Sequence, residues 1–224
     1  MNVKQKLKRF SELGTFDRVI ELEFKNLNEN FEYKGKWANE VFKNNNPIVL
    51  ELGCGKGEYT IDLAKKATGK NFIGVDIKGN RLWRGAKTGH EEGITNSAFL
   101  RTQIEFIEYF FAENEVSEIW ITFPDPQLKD RREEKRLTHP NFLDKYHFLL
   151  NENGLVHLKT DSKELFEISV EYFKNESRGT LTCVSHDINA EPEMREEWQI
   201  ETFYEQKFRK EGKAIQYLQF QFNS

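Results

Sequence analysis

Three glycines alternate with other residues at positions 53, 55 and 57, directly after the apolar run Val49-Leu50-Glu51-Leu52. The apolar run predicts a buried strand, and the glycines predict a tight turn into a helix that begins near Glu58. Glycine permits positive φ and lets a ligand approach the backbone without meeting a Cβ atom. Gly53, Gly55 and Gly57 therefore predict a cradle for a nucleotide-like molecule.

The acidic residues around this turn indicate which ligand the cradle accepts. In the dinucleotide motif G-x-G-x-x-G the helix N-terminus faces a pyrophosphate, but here the third glycine comes one residue early and Glu58 takes its place. A carboxylate at Glu51 would repel a pyrophosphate and suits a ligand with a cationic end, such as S-adenosylmethionine. Asp76 ends the next predicted strand, where an acid accepts hydrogen bonds from both ribose hydroxyls. NAD, or a glycine turn without any ligand, is the alternative.

The second place with chemical potential is the run Phe123-Pro124-Asp125-Pro126. Proline fixes φ and biases the preceding residue to extended geometry, so two prolines hold Asp125 on a stiff loop after the fourth predicted strand. This predicts an acid at the mouth of the site. The alternative is that Asp125 only accepts backbone hydrogen bonds in a turn. Phe123 and Trp120 are more often core residues than platforms for base stacking.

Basic residues cluster at three places although the net charge is −4. A single charge run is usually a solvated face. Three clusters allow an anionic polymer to bind, because phosphate contacts depend on the local density of Lys and Arg. The clusters are Lys4, Lys6, Lys8 and Arg9 near the start, Lys78, Arg81, Arg84 and Lys87 at helical spacing, and Lys129, Arg131, Arg132, Lys135 and Arg136 around a loop.

The elements that must position these residues alternate along the chain. Continuous apolar strands such as Ile119-Trp120-Ile121, separated by helices, predict a doubly wound α/β fold with a mostly parallel, seven-stranded sheet. Ligands bind such sheets beyond the carboxyl ends of the strands, at the switch point. The predicted strands are 47–52, 71–76, 97–101, 116–123, 154–160, 180–186 and 214–222, and the predicted helices are 57–67, 79–91, 103–112, 139–150 and 162–175.

The length of 224 residues and the even composition fit one compact domain. We assign residues 35–224 to a single domain and residues 1–34 to a basic, partly flexible N-terminal segment. No apolar run approaches the ~20 residues that span a membrane, and the first ten residues lack the apolar core of a signal peptide, so we expect a cytoplasmic protein. Cys54 and Cys183 are too few for a disulfide framework or a cysteine-rich zinc site.

Five motifs, in this order, resemble those of the bacterial tRNA (guanine-N7-)-methyltransferases. The likeness runs from about residue 35 to residue 220, and the proline loop combined with the last motif is its most specific part. Many members continue the loop as Pro-Trp-Pro-Lys, where this chain has Pro126-Gln127-Leu128-Lys129. The motifs are Glu-Leu-Gly-Cys-Gly-Lys-Gly-Glu at 51–58, Gly-Val-Asp-Ile-Lys at 74–78, Phe-Pro-Asp-Pro at 123–126, Lys-Thr-Asp at 159–161 and Thr-Phe-Tyr-Glu-Gln-Lys-Phe at 202–208.

The resemblance implies a Rossmann-like class I fold and S-adenosylmethionine-dependent methylation of guanine N7 in the variable loop of tRNA. It implies that no metal takes part, and it leaves a monomer and a homodimer open. Asp125 would be the catalytic residue, reaching both cofactor and substrate. The implied cofactor contacts are Glu51, Gly53, Gly55, Gly57, Asp76, Thr102 and Asp125; the substrate contacts are Lys129, Asp161, Thr202, Phe203, Tyr204 and Glu205; the tRNA phosphate contacts are Arg131, Arg132, Lys135 and Arg136.

Some of these assignments have plainer structural alternatives. Thr102 departs from the Asp or Asn usual at its position, and Asp161 is also a suitable N-cap for the next helix. Without the resemblance, a residue such as Glu205 is more often an exposed helix charge than a functional residue. At the level of function, the alternatives are a methyltransferase for another substrate and a non-catalytic subunit that binds S-adenosylmethionine or RNA. The acids at 51, 76, 125 and 161 favour catalysis. Guanine N7 already carries a lone pair, so the implied reaction needs positioning and charge stabilisation more than an activated nucleophile.

Overall fold

The computed structural model describes residues 3–22 and 31–223. Within these ranges eight strands form one sheet, one more than the seven predicted, because a short strand near the N-terminus joins its edge. The strands are β1 (Val19–Glu21), β2 (Ile48–Leu52), β3 (Asn71–Asp76), β4 (Ser97–Arg101), β5 (Val116–Thr122), β6 (Leu150–Thr160), β7 (Gly179–Ser185) and β8 (Gln216–Phe222).

The order of the strands places a switch point in the middle of the sheet. The order is β1-β4-β3-β2-β5-β6-β8-β7, and all neighbouring pairs from β1 to β6 are parallel. Strand β8 lies antiparallel between β6 and β7. The chain runs outward from β2 to β3 and β4 on one side, and from β5 to β6 on the other. The mostly parallel, doubly wound prediction is confirmed, and the carboxyl ends of β2 and β5 border the switch point where ligands bind.

Six α-helices connect the strands of the described ranges: α1 (Val3–Leu13), α2 (Glu58–Lys66), α3 (Gly79–Glu91), α4 (Pro140–Leu149), α5 (Lys163–Lys174) and α6 (Phe203–Lys210). Shorter helical turns lie at Trp37–Val41, Ile104–Tyr109, Asp130–Lys135 and Glu196–Gln199. The prediction did not include α1 and α6, and the helix predicted at 103–112 is a shorter 3₁₀ turn. Over the described ranges, no helix is both long enough and apolar enough to cross a membrane.

Strand β2 divides two hydrophobic cores, because successive side chains of a strand point to opposite faces. Leu50 and Leu52 pack in the larger core with residues of α4 and α5. Val49 packs in the core on the opposite face with Tyr59 and Leu63 of α2. Glu51 alternates with Leu50 and Leu52 and so lies on the α2 face, where it is the charged residue of an otherwise apolar strand.

The N-terminal helix α1 packs against α3. The Arg9 guanidinium lies over the Trp83 ring at 4.3 Å from its centroid, and the Trp83 indole N–H donates to Glu12 at 2.9 Å. Leu13 is fully buried with Leu82 in a third hydrophobic cluster. The predicted basic segment 1–34 therefore contains a packed helix, and strand β1 after it extends the sheet; residues 1–2 and 23–30 lie outside the described residues.

Candidate active site

The glycine turn between β2 and α2 requires residues without a side chain. Gly53, Gly55 and Gly57 have φ of +75°, +57° and +68°, in the left-handed region that other residues rarely adopt. A Cβ atom at Gly57 would also lie 2.4 Å from the Phe99 ring. The backbone N–H groups of Gly53 and Cys54 donate to the Val75 carbonyl at 2.8 and 3.1 Å, which ties the turn to β3. The predicted cradle is therefore a tight and well-anchored turn.

Asp76, at the end of β3, closes the turn from the other side. One carboxylate oxygen accepts from the Gly55 N–H at 2.9 Å, and the other accepts from the Lys78 N–H at 2.7 Å. An ionised carboxylate has about four acceptor positions. Two remain for hydroxyl groups of a ligand, and Asp76 lines a large cleft at the switch point.

Glu51 lies at the bottom of the site and is almost completely buried. Its carboxylate accepts from the backbone N–H of Thr60 at 2.8 Å and from the Thr60 hydroxyl, and its other oxygen accepts from the Thr122 hydroxyl at 2.6 Å. Burial raises the pKa of Glu51 to about 7, and the hydrogen bonds from both threonines offset part of that effect. A cationic ligand group placed here would favour the ionised form.

Two adjoining spaces open at the switch point, and they share Gly53, Arg81 and Phe123. The larger is a cleft of about 480 Å³, a size typical of small-molecule sites. Its polar lining includes Asp76, Thr102 and Asp125. Its apolar lining includes Ile77, Ile104, Leu137 and Phe142.

The smaller space has a volume of about 80 Å³ and is lined by Glu51, the glycine turn, Glu58, Thr122, Thr202 and Tyr204. The two spaces adjoin, and the buried acid Glu51 lines only the smaller one. Arg81, which the sequence analysis named only as part of a basic cluster, lines both spaces. The helical spacing of Arg81 from Lys78 predicts only a shared helix face, and it does not indicate that Arg81 lines the site.

The proline loop after β5 projects Asp125 into the large cleft. Asp125 is exposed, and its carboxylate accepts from the Gln127 N–H at 3.3 Å. Phe123 and Gln127 have φ of +48° and +47°, a conformation that costs about 1–3 kcal/mol for each such residue. Gln127, which stands where many family members have Trp, accepts from Arg132 through its side chain and from Arg136 through its backbone carbonyl.

The predicted phosphate contacts fall into two groups. Lys129, Arg131, Arg132 and Lys135 are exposed on the helical turn Asp130–Lys135 and its approach. Arg136 is only 4% exposed. Its guanidinium donates to the Gln127 carbonyl at 3.2 Å and to the Tyr172 hydroxyl at 2.9 Å. The prediction for Arg136 is therefore corrected: its donors hold the loop onto α5 and do not face solvent.

Asp161 follows β6 and is mostly buried. Its carboxylate pairs with Lys213 at 2.8 Å. The N-cap of α5 is instead Ser162, whose hydroxyl accepts from the Leu165 N–H at 3.3 Å. The capping alternative for Asp161 is therefore wrong, because the next residue performs that role.

The segment from Thr202 to Glu205 begins α6. Thr202 is the N-cap, and its hydroxyl accepts from the Glu205 N–H at 3.2 Å. Phe203 and Tyr204 are 54% and 44% exposed. Glu205 is fully buried, with Lys159 at 2.7 Å and Arg209 at 2.6 Å from its carboxylate oxygens. Both interpretations of Glu205 therefore need correction, because an acid enclosed by two cations is neither an exposed charge nor free to contact a substrate.

Comparisons with known proteins agree with this geometry. A family model described as a putative methyltransferase matches residues 45–218. The tRNA (guanine-N(7)-)-methyltransferase of Christiangramia forsetii is 53% identical over 98% of this chain and 99% of its own length. The protein of the same name from Bacteroides fragilis is 45% identical over 97% of this chain and 85% of its own length.

Solved structures of methyltransferases share the fold. The 16S rRNA methyltransferase KamB has a TM-score of 0.65 at 14% identity, over 87% of this chain and 96% of that one. The aminoglycoside resistance methyltransferase NpmB1 has a TM-score of 0.59 at 16% identity, over 86% of this chain and 95% of that one. The likeness of nearly the whole chain to the two relatives confirms the resemblance found in the motifs: the chain belongs to the tRNA (guanine-N7-)-methyltransferase family.

Proposed function

We propose that this chain methylates N7 of a guanine in the variable loop of tRNA, with S-adenosylmethionine as the methyl donor. The observation that carries the proposal is the family membership over nearly the whole chain. The acids at the switch point support it, since Asp76 and Asp125 line the large cleft and Glu51 lines the small space that adjoins it. We place the protein in the bacterial cytoplasm, as a monomer or homodimer, with residues 35–224 as the methyltransferase domain.

The lining of the site fits this cofactor. We assign the ribose hydroxyls to the free acceptor positions of Asp76, and the adenine ring to the apolar wall formed by Ile77, Ile104 and Phe142, with Thr102 beside it. We assign the cationic end to the small space above Glu51. Bound S-adenosylmethionine supplies a methyl group carried on a positively charged sulfonium. A pyrophosphate does not fit here, because Glu51 and Glu58 line the same space.

Asp125 is the residue to which we assign the catalytic role. Guanine N7 attacks through its own lone pair, so the chain needs no base to activate it, and the main task is to hold the base in line. Methylation turns a neutral base into a cation. A carboxylate that is already in place beside the base stabilises that charge as it develops. Asp125 is suited to this role because it lies at the cleft on a loop stiffened by two prolines.

We assign recognition of the tRNA to the surface around the cleft. Phe203 and Tyr204 offer exposed aromatic rings for stacking on a base. Asp161 pairs with Lys213 through one carboxylate oxygen, and its other oxygen can accept from guanine N–H groups. The exposed cations that we assign to phosphate contacts are Lys129, Arg131, Arg132 and Lys135. Such contacts position the RNA without reading its sequence.

In the described ranges, no group of three or more His, Cys, Asp or Glu side chains could hold a metal ion.

The decisive experiment uses the purified chain, labelled S-adenosylmethionine and a pair of unmodified tRNA transcripts. One transcript carries the variable-loop guanine, and in the other adenine replaces it. We expect label in 7-methylguanosine from the first transcript and none from the second. A different methylated nucleoside would identify another substrate atom, and absence of label from both transcripts, with S-adenosylmethionine binding intact, would favour a non-catalytic subunit.

A further inference from the structure

The start of α6 forms one wall of the small space above Glu51. Thr202 and Tyr204 line this space together with Lys56 and Glu58, which end the glycine turn. The family resemblance assigned Thr202, Phe203 and Tyr204 to the substrate alone. Thr202 and Tyr204 lie opposite the glycine turn, so a ligand that fills this space contacts both the glycine turn and the start of α6.

Two polar anchors hold α6 in this position. The first comes from the start of α2: the Glu58 carboxylate accepts from the backbone N–H of Phe203 at 2.9 Å. The Lys56 ammonium lies over the Phe203 ring at 4.3 Å and pairs with Glu58 at 3.8 Å. The N–H of Phe203 is one of the first-turn donors that a helix leaves without an internal acceptor, so Glu58 satisfies it from outside the helix.

The second anchor is a fully buried ion pair. The Lys159 ammonium, at the end of β6, lies 2.7 Å from the Glu205 carboxylate and donates to the carbonyls of Trp198 and Ile200 at 3.2 and 3.0 Å. Burial lowers the pKa of Lys159, and the neighbouring Glu205 opposes that shift. A buried ion pair contributes little net stability, but it fixes geometry, because removing either partner leaves an uncompensated charge. Lys159 lines neither of the two spaces of the site, so it acts on a ligand only through the residues that it contacts, and Glu205 of α6 is the charged one among them.

We propose that Glu58 and Lys159 are positioning residues that hold the start of α6 as a wall over the methionine end of the cofactor. The inference rests on the proposed function for the identity of the cofactor. It adds that Thr202 and Tyr204 are cofactor-side residues, and that cofactor and tRNA binding are coupled through this segment. A ligand that contacts Thr202 and Tyr204 in the small space favours the same arrangement of α6 that presents the exposed Phe203 ring to the RNA, so each ligand raises affinity for the other.

The first test compares Glu58→Ala with Glu58→Gln and with Glu164→Ala. Glu164 is an exposed acid in the first turn of α5, so its loss matches the change of charge and helix position without touching the site. We expect calorimetry to show about threefold to tenfold weaker S-adenosylmethionine binding for Glu58→Ala. Glu58→Gln should restore most of the affinity, because the amide oxygen can still accept from Phe203. Glu164→Ala should match the parent. Parental affinity in Glu58→Ala would overturn the inference.

Amide hydrogen exchange separates positioning from a direct contact between Glu58 and the cofactor. In the parent, S-adenosylmethionine should slow exchange across residues 203–210, and in Glu58→Ala this protection should be lost. Weaker binding with parental protection would mean that Glu58 only touches the ligand, which contradicts a positioning role. These measurements require no turnover, so they succeed or fail independently of which RNA atom is methylated.

Lys159 is tested with a double variant, since Lys159→Met alone would leave Glu205 charged and buried. Lys159→Met combined with Glu205→Met removes both charges of this ion pair, and Arg209, which also loses Glu205, keeps Glu201 at 3.5 Å as a partner. We expect a cooperative thermal transition, S-adenosylmethionine binding weakened at least about threefold, and loss of the tRNA-induced increase in cofactor affinity. A folded double variant with parental affinity and parental coupling would contradict the role of Lys159.

Discussion

The carboxylate of Glu51 accepts a hydrogen bond from the hydroxyl of Thr122 at 2.6 Å, across the two strands that border the switch point. Thr60 of α2 donates to the other carboxylate oxygen. These donors hold the acid in one orientation below the small space of the site. They do not fully replace the lost water, and the pKa of Glu51 therefore remains raised, at about 7.

This raised pKa predicts that cofactor affinity falls as pH is lowered. The pKa of Glu51 in the folded protein, about 7, lies above its ordinary value of 4.5, so the free site binds a proton below about pH 7. A cationic ligand end must displace that proton, and binding weakens accordingly. We expect the dissociation constant of S-adenosylmethionine to rise about tenfold between about pH 8 and pH 6.

The control for this prediction is Glu51→Gln, which has no titrating group at this position. This variant should bind S-adenosylmethionine more weakly. The pH dependence of its affinity then reports only the other titrating groups, including those of the ligand itself. The difference between the two calorimetric profiles therefore isolates Glu51. Profiles that run parallel would show that the cationic end lies elsewhere.

Asp76 gives a second prediction on the cofactor. Asp76→Ala removes acceptors for the ribose and also frees the N–H groups of Gly55 and Lys78. Asp76→Asn turns one acceptor into a donor, which then faces one of these N–H groups or a ribose hydroxyl. We expect Asp76→Ala to lose about 1.5–3 kcal/mol of binding free energy for each hydrogen bond that the ligand makes to the charged carboxylate, less what water replaces. Asp76→Asn should lose a substantial part of that binding free energy. Calorimetric affinities equal to that of the parent would remove Asp76 from the cofactor site.

The glycine turn and Asp76 could be predicted from sequence because their signals are local. Positive φ selects glycine within a few residues, and the acid comes at the end of the next apolar strand. Strand β1 and helix α1 escaped prediction for the opposite reason. Strand β1 has only three residues, and α1 contacts α3 through Arg9, Glu12 and Leu13 within a basic, polar stretch. Strand β1 pairs with a strand that is distant in sequence. The helical spacing of Leu7, Phe10 and Leu13 is a local signal for α1, but it lies among the basic residues of this stretch.

Glu205 and Arg136 show the same limit within the site. Each is a charged residue in a polar stretch, and a local pattern predicts that such residues are exposed. Glu205 is buried because Lys159, on a distant strand, and Arg209 enclose its carboxylate. Arg136 is buried because Tyr172 of α5 and the Gln127 carbonyl accept from its guanidinium. Burial of a charge depends on a partner that only the folded chain supplies.

The difference between Arg136 and its neighbours leads to a paired prediction. Charge reversal at the exposed Arg131 and Arg132 should raise the apparent KM for tRNA and flatten its salt dependence by roughly 1–2 units of the logarithmic slope, with cofactor affinity unchanged. Arg136→Ala should instead lower the free energy of unfolding by about 1.5–3 kcal/mol, since it removes charge-assisted hydrogen bonds. Initial rates at several salt concentrations and urea unfolding separate the two effects. An unchanged salt slope in the charge-reversal variant of Arg131 and Arg132 would mean that these residues form only a solvated face.

Asp125 is the residue whose loss should reduce turnover most. Asp125→Asn keeps the shape of the side chain and one acceptor oxygen but removes the charge beside the base. If the carboxylate stabilises the guanine cation as it forms, the variant should bind both ligands and lose about 10²–10³-fold in kcat, as when one preorganised electrostatic contact is removed. The matched control is Asp130→Asn, an exposed acid in the neighbouring helical turn, which should keep the parental rate. Single-turnover methylation of tRNA at saturating S-adenosylmethionine measures the chemical step directly. A near-parental rate in Asp125→Asn would assign Asp125 to the structure of the loop, and the electrostatic role would pass to Asp161.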